Sequence, residues 1–217
     1  MDLALRGWFH DRISLGGMFQ MRDHPRYRVT WLAKVIAGER QCRWSVWFQG
    51  NHEYEPLSSS SGNSNLAVWT AEHNVLLETR AGKLVQAGFK VTLEEQNSFT
   101  VVGRTGIEVV GKPDIIAVKD HVLDVEDAKT GRPRASDHVQ VGLYVLLVKE
   151  VTVGHVVYTG ATEHVAPFNP KLLTSAVESL TTEPARVPSY WECRWCDIPN
   201  CPVRVAADPM KTTTEIF

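Results

Sequence analysis

Residues 111–131 read G-K-P-D-I-I-A-V-K-D-H-V-L-D-V-E-D-A-K-T-G, and this stretch decides the fold. Two runs rich in β-branched residues, Ile115–Lys119 and His121–Lys129, are separated by a short polar break, the pattern of paired strands. Asp114 follows a proline at the start of the first. Asp127 and Lys129 stand two apart in the second, so on a strand they share one face. From the neighbouring strand the Asp114 carboxylate meets them. Two carboxylates on one surface suit Mg²⁺ or Mn²⁺, hard cations that prefer oxygen ligands. Such an ion polarises a phosphate oxygen and lowers the pKa of bound water. A lysine beside it orients that water or stabilises the developing charge. The backbone carbonyl of Ala128 is a candidate further ligand. Asp124 is a poor rival because it lies five residues from the lysine. Glu126 faces away from Lys129 on a regular strand, although a bulge would reverse that. Alone, D-x-K reads as a salt bridge on an exposed strand. The P-D pair upstream, across a strand turn, moves the reading toward chemistry.

Outward from this core, Lys90–Glu95, Phe99–Val102 and Glu108–Val110 read as further strands of a meander. Asp137–Val151 reads as a helix, Val153–Thr159 as a strand and Lys171–Leu180 as a short helix. On the N-terminal side, Ala67–Ala87 has the length of a helix, with Trp69, Val75, Leu76 and Leu84 as its expected buried stripe. The polar run Ser58–Asn65 is a flexible loop. Thr30–Phe48 reads as helical, with an interruption near Gly38. Trp8, Phe9, Met18 and Phe19 are apolar anchors without a clean period, and the tail after Pro209 is expected to fray. The order helix, strands, helix, strand predicts an α/β fold, a mixed central sheet flanked by helices.

The 217 residues are 43% hydrophobic, enough for one domain with a full core. No apolar run approaches the roughly 18 residues of a membrane span. The N-terminus lacks the apolar segment of a signal peptide, so an intracellular, cytoplasmic location without membrane association is expected. A net charge of −2 excludes a globally basic nucleic-acid binder. Any such binding must rest on a local basic patch, or on cations held by an acidic site.

The four cysteines are unevenly placed. Cys42 stands alone, while Cys193, Cys196 and Cys201 crowd into C-R-W-C-D-I-P-N-C-P. Structural disulfides are rare inside cells, so clustered thiols point to a metal. Four thiolates suit a [4Fe–4S] cluster or a structural zinc, and the pattern does not separate the two. Arg132 and Arg134 follow Lys129 closely enough to reach phosphates at its site. Arg40, Arg43 and Arg194 lie near the cysteines. So do Trp44, Trp47, Trp191 and Trp195, which either stack on unpaired bases or, for most of them, pack around the cluster. In H-V-Q-V-G-L-Y, Gln140 and Tyr144 stand at i and i+4 on one helix face.

Taken together, P-D, D-A-K and Q-x-x-x-Y in this order resemble the PD-(D/E)XK nuclease superfamily. Over residues 30–205 the chain is similar to its RecB-like branch. It looks most like the CRISPR-associated iron–sulfur exonucleases (the fourth Cas protein), and is also similar to the nuclease domain of AddB helicase-nucleases. The resemblance implies a restriction-endonuclease-like core over about 67–160. The flanking 30–66 and 161–205 segments would be joined through a [4Fe–4S] cluster on Cys42, Cys193, Cys196 and Cys201, within a single domain of residues 1–217. It also implies that Asp114 and Asp127 bind metal with His73, which stands in A-E-H-N where the family has a ligating histidine. His52 in G-N-H-E is the alternative. Lys129, Gln140 and Tyr144 complete the catalytic set. The implied activity is metal-dependent hydrolysis of DNA, as an exonuclease on single-stranded ends or overhangs. The implied setting is prespacer processing with a CRISPR integrase in antiviral defence, or recombination and repair in a phage or cell. A non-catalytic DNA-binding protein stabilised by zinc or a cluster is the competing class.

Overall fold

The structure, a computed structural model, describes residues 19–57 and 63–206. In chain order they form β1 (Phe19–Met21), β2 (Arg26–Arg28), α1 (Val29–Ile36), α2 (Arg43–Asn51), β3 (His52–Tyr54) and α3 (Asn63–Gln86). There follow β4 (Lys90–Leu93), a 3₁₀ turn (Glu94–Asn97), β5 (Phe99–Val102), β6 (Glu108–Gly111), β7 (Ile115–Lys119) and β8 (Val122–Lys129). The chain continues through α4 (Ala135–Leu147), β9 (Val153–Tyr158), β10 (Ala161–His164), α5 (Pro170–Glu178) and α6 (Tyr190–Cys193).

Five strands make the central sheet in the order β10-β9-β8-β7-β4. Only β8 and β9 run parallel, and α4 is the crossover that such a pair requires. Every other pairing in this sheet is antiparallel. The sheet is therefore mixed and flanked by helices, as expected. Strand alternation sorts β8 between two layers. Val125 and Asp127 face α4, where Val125 packs in the core with Val141 and Val156. Asp124 and Glu126 face α3, on the side where Leu77 and Leu84 bury against Ile115 and Ala117. Each fully buried aliphatic side chain contributes about 1.5–3 kcal/mol. The sheet and α4 approach closely because residue 154 is glycine. A Cβ there would stand 2.6 Å from Val145 Cγ2 and 2.7 Å from Val141 Cγ1. α1 packs on the outside of α4 and α5 packs on α1. Tyr27, wholly buried, donates its hydroxyl to the Leu180 carbonyl at 3.0 Å and so fastens β2 to the end of α5.

Several expectations need correction. The middle strands are not one meander: β5 and β6 leave to form a second sheet with β2, in the order β2-β6-β5, and β4 pairs directly with β7. The inward stripe of α3 is His73, Leu77, Arg80 and Leu84, while Trp69 and Val75 are exposed. Leu84 is buried as expected, but polar His73 and Arg80 occupy two inward positions, which displaces Trp69 and Val75 from the stripe. Asn63–Asn65 belong to α3, whereas residues 58–62 lie outside the described residues, as do Trp8, Phe9, Met18 and the tail after Pro209. The interruption near Gly38 is real. Gly38 takes φ +72°, a left-handed conformation that glycine adopts without steric cost, and it ends α1.

Candidate active site

The β7–β8 register sets Ile115 opposite Glu126, so Asp114 falls opposite Asp127 at the end of the sheet. The Asp114 Oδ2 accepts the Ala128 N–H at 2.8 Å, which pins its carboxylate to β8. Asp127 is almost wholly buried. Its Oδ1 accepts from Gln140 Nε2 at 2.9 Å, and its Oδ2 faces the Lys129 ammonium at 2.5 Å without a well-directed hydrogen bond. The same Gln140 accepts from Lys129 Nζ through Oε1 at 3.1 Å, and its Nε2 also donates to the Tyr144 hydroxyl at 3.0 Å. Tyr144 in turn donates to the Lys112 carbonyl at 3.3 Å. The i, i+4 pair on α4 thus orients both Asp127 and Lys129, as a buried amide with its donors and acceptor in use.

From α3, His73 brings Nε2 to 3.8 Å from Asp114 Oδ2. Its Nδ1 is buried with no hydrogen-bond partner. Glu94 completes this corner: candidate ligand atoms of His73, Glu94 and Asp114 all lie within 4.8 Å of one another. Sequence reasoning missed Glu94. Its signal lies in the pairing, since Leu93 stands opposite Ile115 and so brings Glu94 beside Asp114. The Glu94 N–H donates to the Asp114 carbonyl at 2.9 Å, and its φ of +41° is a left-handed value unusual for a residue with a Cβ.

The electrostatics describe a site that wants a cation. Burial first, and then the Asp127 charge, push the Asp114 carboxyl up to about 7, against the Ala128 N–H and Lys129. Burial also raises Asp127, with Lys129 opposing it. For Lys129 burial works against the charge, but Asp127 outweighs it and holds the ammonium above its ordinary value. The half-buried carboxylates of Asp114 and Glu94, the His73 imidazole beside them and the buried Asp127 carboxylate fit a divalent ion.

These groups line a cavity of about 1100 Å³. Its wall carries Arg26, Arg28, Lys34, Lys112, Arg132 and Arg134, and Trp69 lies at its edge beside His73. Arg132 and Arg134 are exposed there, as a phosphate-binding role needs. The remaining acids of D-V-E-D-A-K lie elsewhere. Glu126, fully buried on the α3 face, takes Arg80 Nε at 2.7 Å and Nη2 at 2.5 Å, and Asp124 takes His155 Nδ1 at 2.9 Å. His52 is also elsewhere, stacked on Phe48 at 4.3 Å with Nδ1 against the Phe48 carbonyl.

Three of the four cysteines share one apolar cluster but, among the described residues, do not gather into a ligand group. Cys42, Cys196 and Cys201 pack against one cluster of Trp44, Phe48 and Ile198. The Glu192 carboxylate, next to Cys193, accepts the N–H groups of Gln41 and Cys42 at 2.6 and 3.0 Å. Arg204 binds the carbonyls of Cys193, Cys196 and Ile198 and so shapes the loop. All four are free thiols, and among the described residues no three of them bring their sulfurs within 4.8 Å of one another. Trp44 is buried, with its indole N–H on Glu183 and Arg186 over its ring. It packs rather than stacks on bases. Trp191 and Trp195 are exposed. No helix among the described residues is long and apolar enough to cross a membrane.

The crystal structure of SSO0001 resembles this chain with a TM-score of 0.53 and 17% sequence identity, over 82% of this chain and 85% of that one. At that identity the likeness concerns the fold. No curated protein matches significantly in sequence. The family model of the PD-(D/E)XK nuclease superfamily matches residues 44–202, a span that holds Asp114, Asp127 and Lys129. By that match, the chain belongs to the PD-(D/E)XK nuclease superfamily.

Proposed function

We propose that this protein is a divalent-metal-dependent DNA nuclease of the RecB-like branch, acting as an exonuclease on single-stranded ends or overhangs. The observation that carries the reading is the meeting of Asp114, Asp127 and Lys129 in a cavity walled by arginines and lysines. Asp114 and Asp127 would hold the ion, with His73, the Ala128 carbonyl and Glu94 as further ligands. A bound Mn²⁺ or Mg²⁺ supplies charge that polarises the scissile phosphate and makes a water more acidic. Nitrogen from His73 favours Mn²⁺ over Mg²⁺. Lys129, kept protonated by Asp127, donates toward the phosphate or the attacking water. Gln140 keeps that ammonium and the Asp127 carboxylate in register, and Tyr144 braces Gln140. Arg132 and Arg134 hold neighbouring phosphates.

Cys42, Cys193, Cys196 and Cys201 would hold a [4Fe–4S] cluster. The cluster would tie the α2 end of the domain to its C-terminal loop, as the Glu192 contacts already do. Four thiolates suit a [4Fe–4S] cube or a tetrahedral zinc, and the resemblance to the iron–sulfur nucleases favours the first. End processing of this kind serves CRISPR prespacer trimming beside an integrase, or recombination in a phage or cell.

The test uses anaerobically purified full-length protein with Mn²⁺ on 5′- and 3′-labelled linear single strands and on circular single strands. Shortening of linear strands from one end, with circles intact, is expected. Cutting of circles overturns the exonuclease assignment. No hydrolysis of any DNA overturns the nuclease reading.

A further inference from the structure

An exposed tryptophan is the least expected feature of α3. Trp69 keeps half of its surface open to solvent, although it stands one turn before His73 on the same helix. One face of the indole lies against the imidazole, with ring centroids 5.3 Å apart and planes 17° from parallel. That leaves the other face for solvent. Leu66, Val68 and Val75 are also exposed on this helix, yet of these four only Trp69 lines the cavity that holds Asp114 and Asp127. Arg28 and Trp31, in cation–π contact at 5.2 Å, and Arg132 line the same cavity.

We propose that Trp69 is a base-stacking platform, which seats an unpaired nucleobase beside His73 and thereby selects single-stranded DNA at the reacting phosphate. An aromatic plane with one open face binds any base through its π-face, irrespective of sequence. A base inside a duplex has both faces covered by its neighbours and offers nothing to such a platform until it is unstacked. The arginines of the wall attract phosphates of either form of DNA, so they supply affinity without this discrimination. Trp69 supplies the discrimination. Its contact with His73 also fixes where the base sits: one ring from a candidate metal ligand. This inference rests on the nuclease reading above for its catalytic part, while its binding part stands apart from it.

The experiment compares wild type, Trp69→Ala and Trp69→Phe as full-length protein. Binding is measured in chelator, so that no cleavage competes, with a labelled oligodeoxythymidylate and with a duplex of the same length. Trp69→Ala should bind the single strand roughly tenfold more weakly, Trp69→Phe should stay within about threefold of wild type, and duplex affinity should change less than about twofold. Equal single-strand affinity in wild type and Trp69→Ala overturns the proposal, as does an equal loss on duplex. A second arm measures Mn²⁺-dependent cleavage of an oligonucleotide with abasic sites near its end. The penalty of Trp69→Ala should vanish on that substrate, because no base remains to stack. A penalty that persists makes Trp69 a support for His73 only and overturns the proposal. If no variant cleaves any DNA, the nuclease reading fails and the binding arm still decides the role of Trp69.

Discussion

Replacing Asp114 by Asn should change how stability depends on pH, in a direction fixed by the site. In the metal-free protein, burial and the neighbouring Asp127 push the Asp114 carboxyl up to about 7, from an ordinary 3.8. A carboxyl raised on folding stabilises the fold while it is protonated. That contribution is complete below about pH 4 and is lost as the pH rises through about 7. The displacement of about three units corresponds to at most ~4 kcal/mol. Asp127 and Lys129 respond to the same proton, so about half of that is a reasonable expectation, ~2 kcal/mol. For a chain of this size it amounts to about 4–8 °C in Tm. Thermal unfolding followed by circular dichroism, in chelator, is the assay. The Asn variant should melt higher than wild type near about pH 8, and the gap should narrow as the pH falls and close near about pH 4. Adding Mn²⁺ near about pH 8 should reverse the order, because only wild type keeps the full carboxylate pair to bind it. Parallel melting curves across that range, unaffected by Mn²⁺, would refute the reasoning.

Three further outcomes follow from named contacts. Arg80→Met leaves Glu126 buried without its two-pronged partner, so urea unfolding should show a loss of about 3–5 kcal/mol, and Glu126→Gln in the same chain should restore part of it; a loss under ~1 kcal/mol would contradict the pair's structural role. Gln140→Leu removes the amide that holds Asp127 and Lys129, and should lower kcat about 10–100-fold while costing about 1–3 kcal/mol in stability; unchanged kcat would show that Lys129 needs no such support. Cys193→Ser should lose iron and folded protein before it loses chemistry, read as absorbance near about 400 nm, soluble yield and activity per folded molecule. Retained iron and unchanged melting in that variant would remove the structural role of the cluster.

Much of the centre was legible in the sequence because it depends on short-range periodicity. The two-residue spacing of Asp127 and Lys129 puts them on one strand face, and the four-residue spacing of Gln140 and Tyr144 puts them on one helix face, as the hydrogen bonds bear out. The strands Phe99–Val102 and Ile115–Lys119 stand where their β-branched residues indicate. What was hidden depends on long-range pairing. Nothing local says that β5 and β6 pair with β2 rather than with the central sheet, or that Glu94 arrives beside Asp114. α3 misled for a different reason. It turns two polar residues inward, His73 toward Asp114 and Arg80 onto Glu126, so they took positions where an apolar stripe was sought, and Trp69 was assigned to the core. β10, A-T-E-H, is a short polar edge strand and carries little strand signal.

The central claim is that Asp114, Asp127 and Lys129 form one metal-dependent hydrolytic centre. It is tested most directly by Mn²⁺ binding and single-strand hydrolysis, measured together on wild type, Asp114→Ala and Lys129→Met. The expected result is that wild type binds Mn²⁺ and cleaves, Asp114→Ala does neither, and Lys129→Met binds Mn²⁺ but does not cleave. Full hydrolysis by folded Asp114→Ala would contradict it.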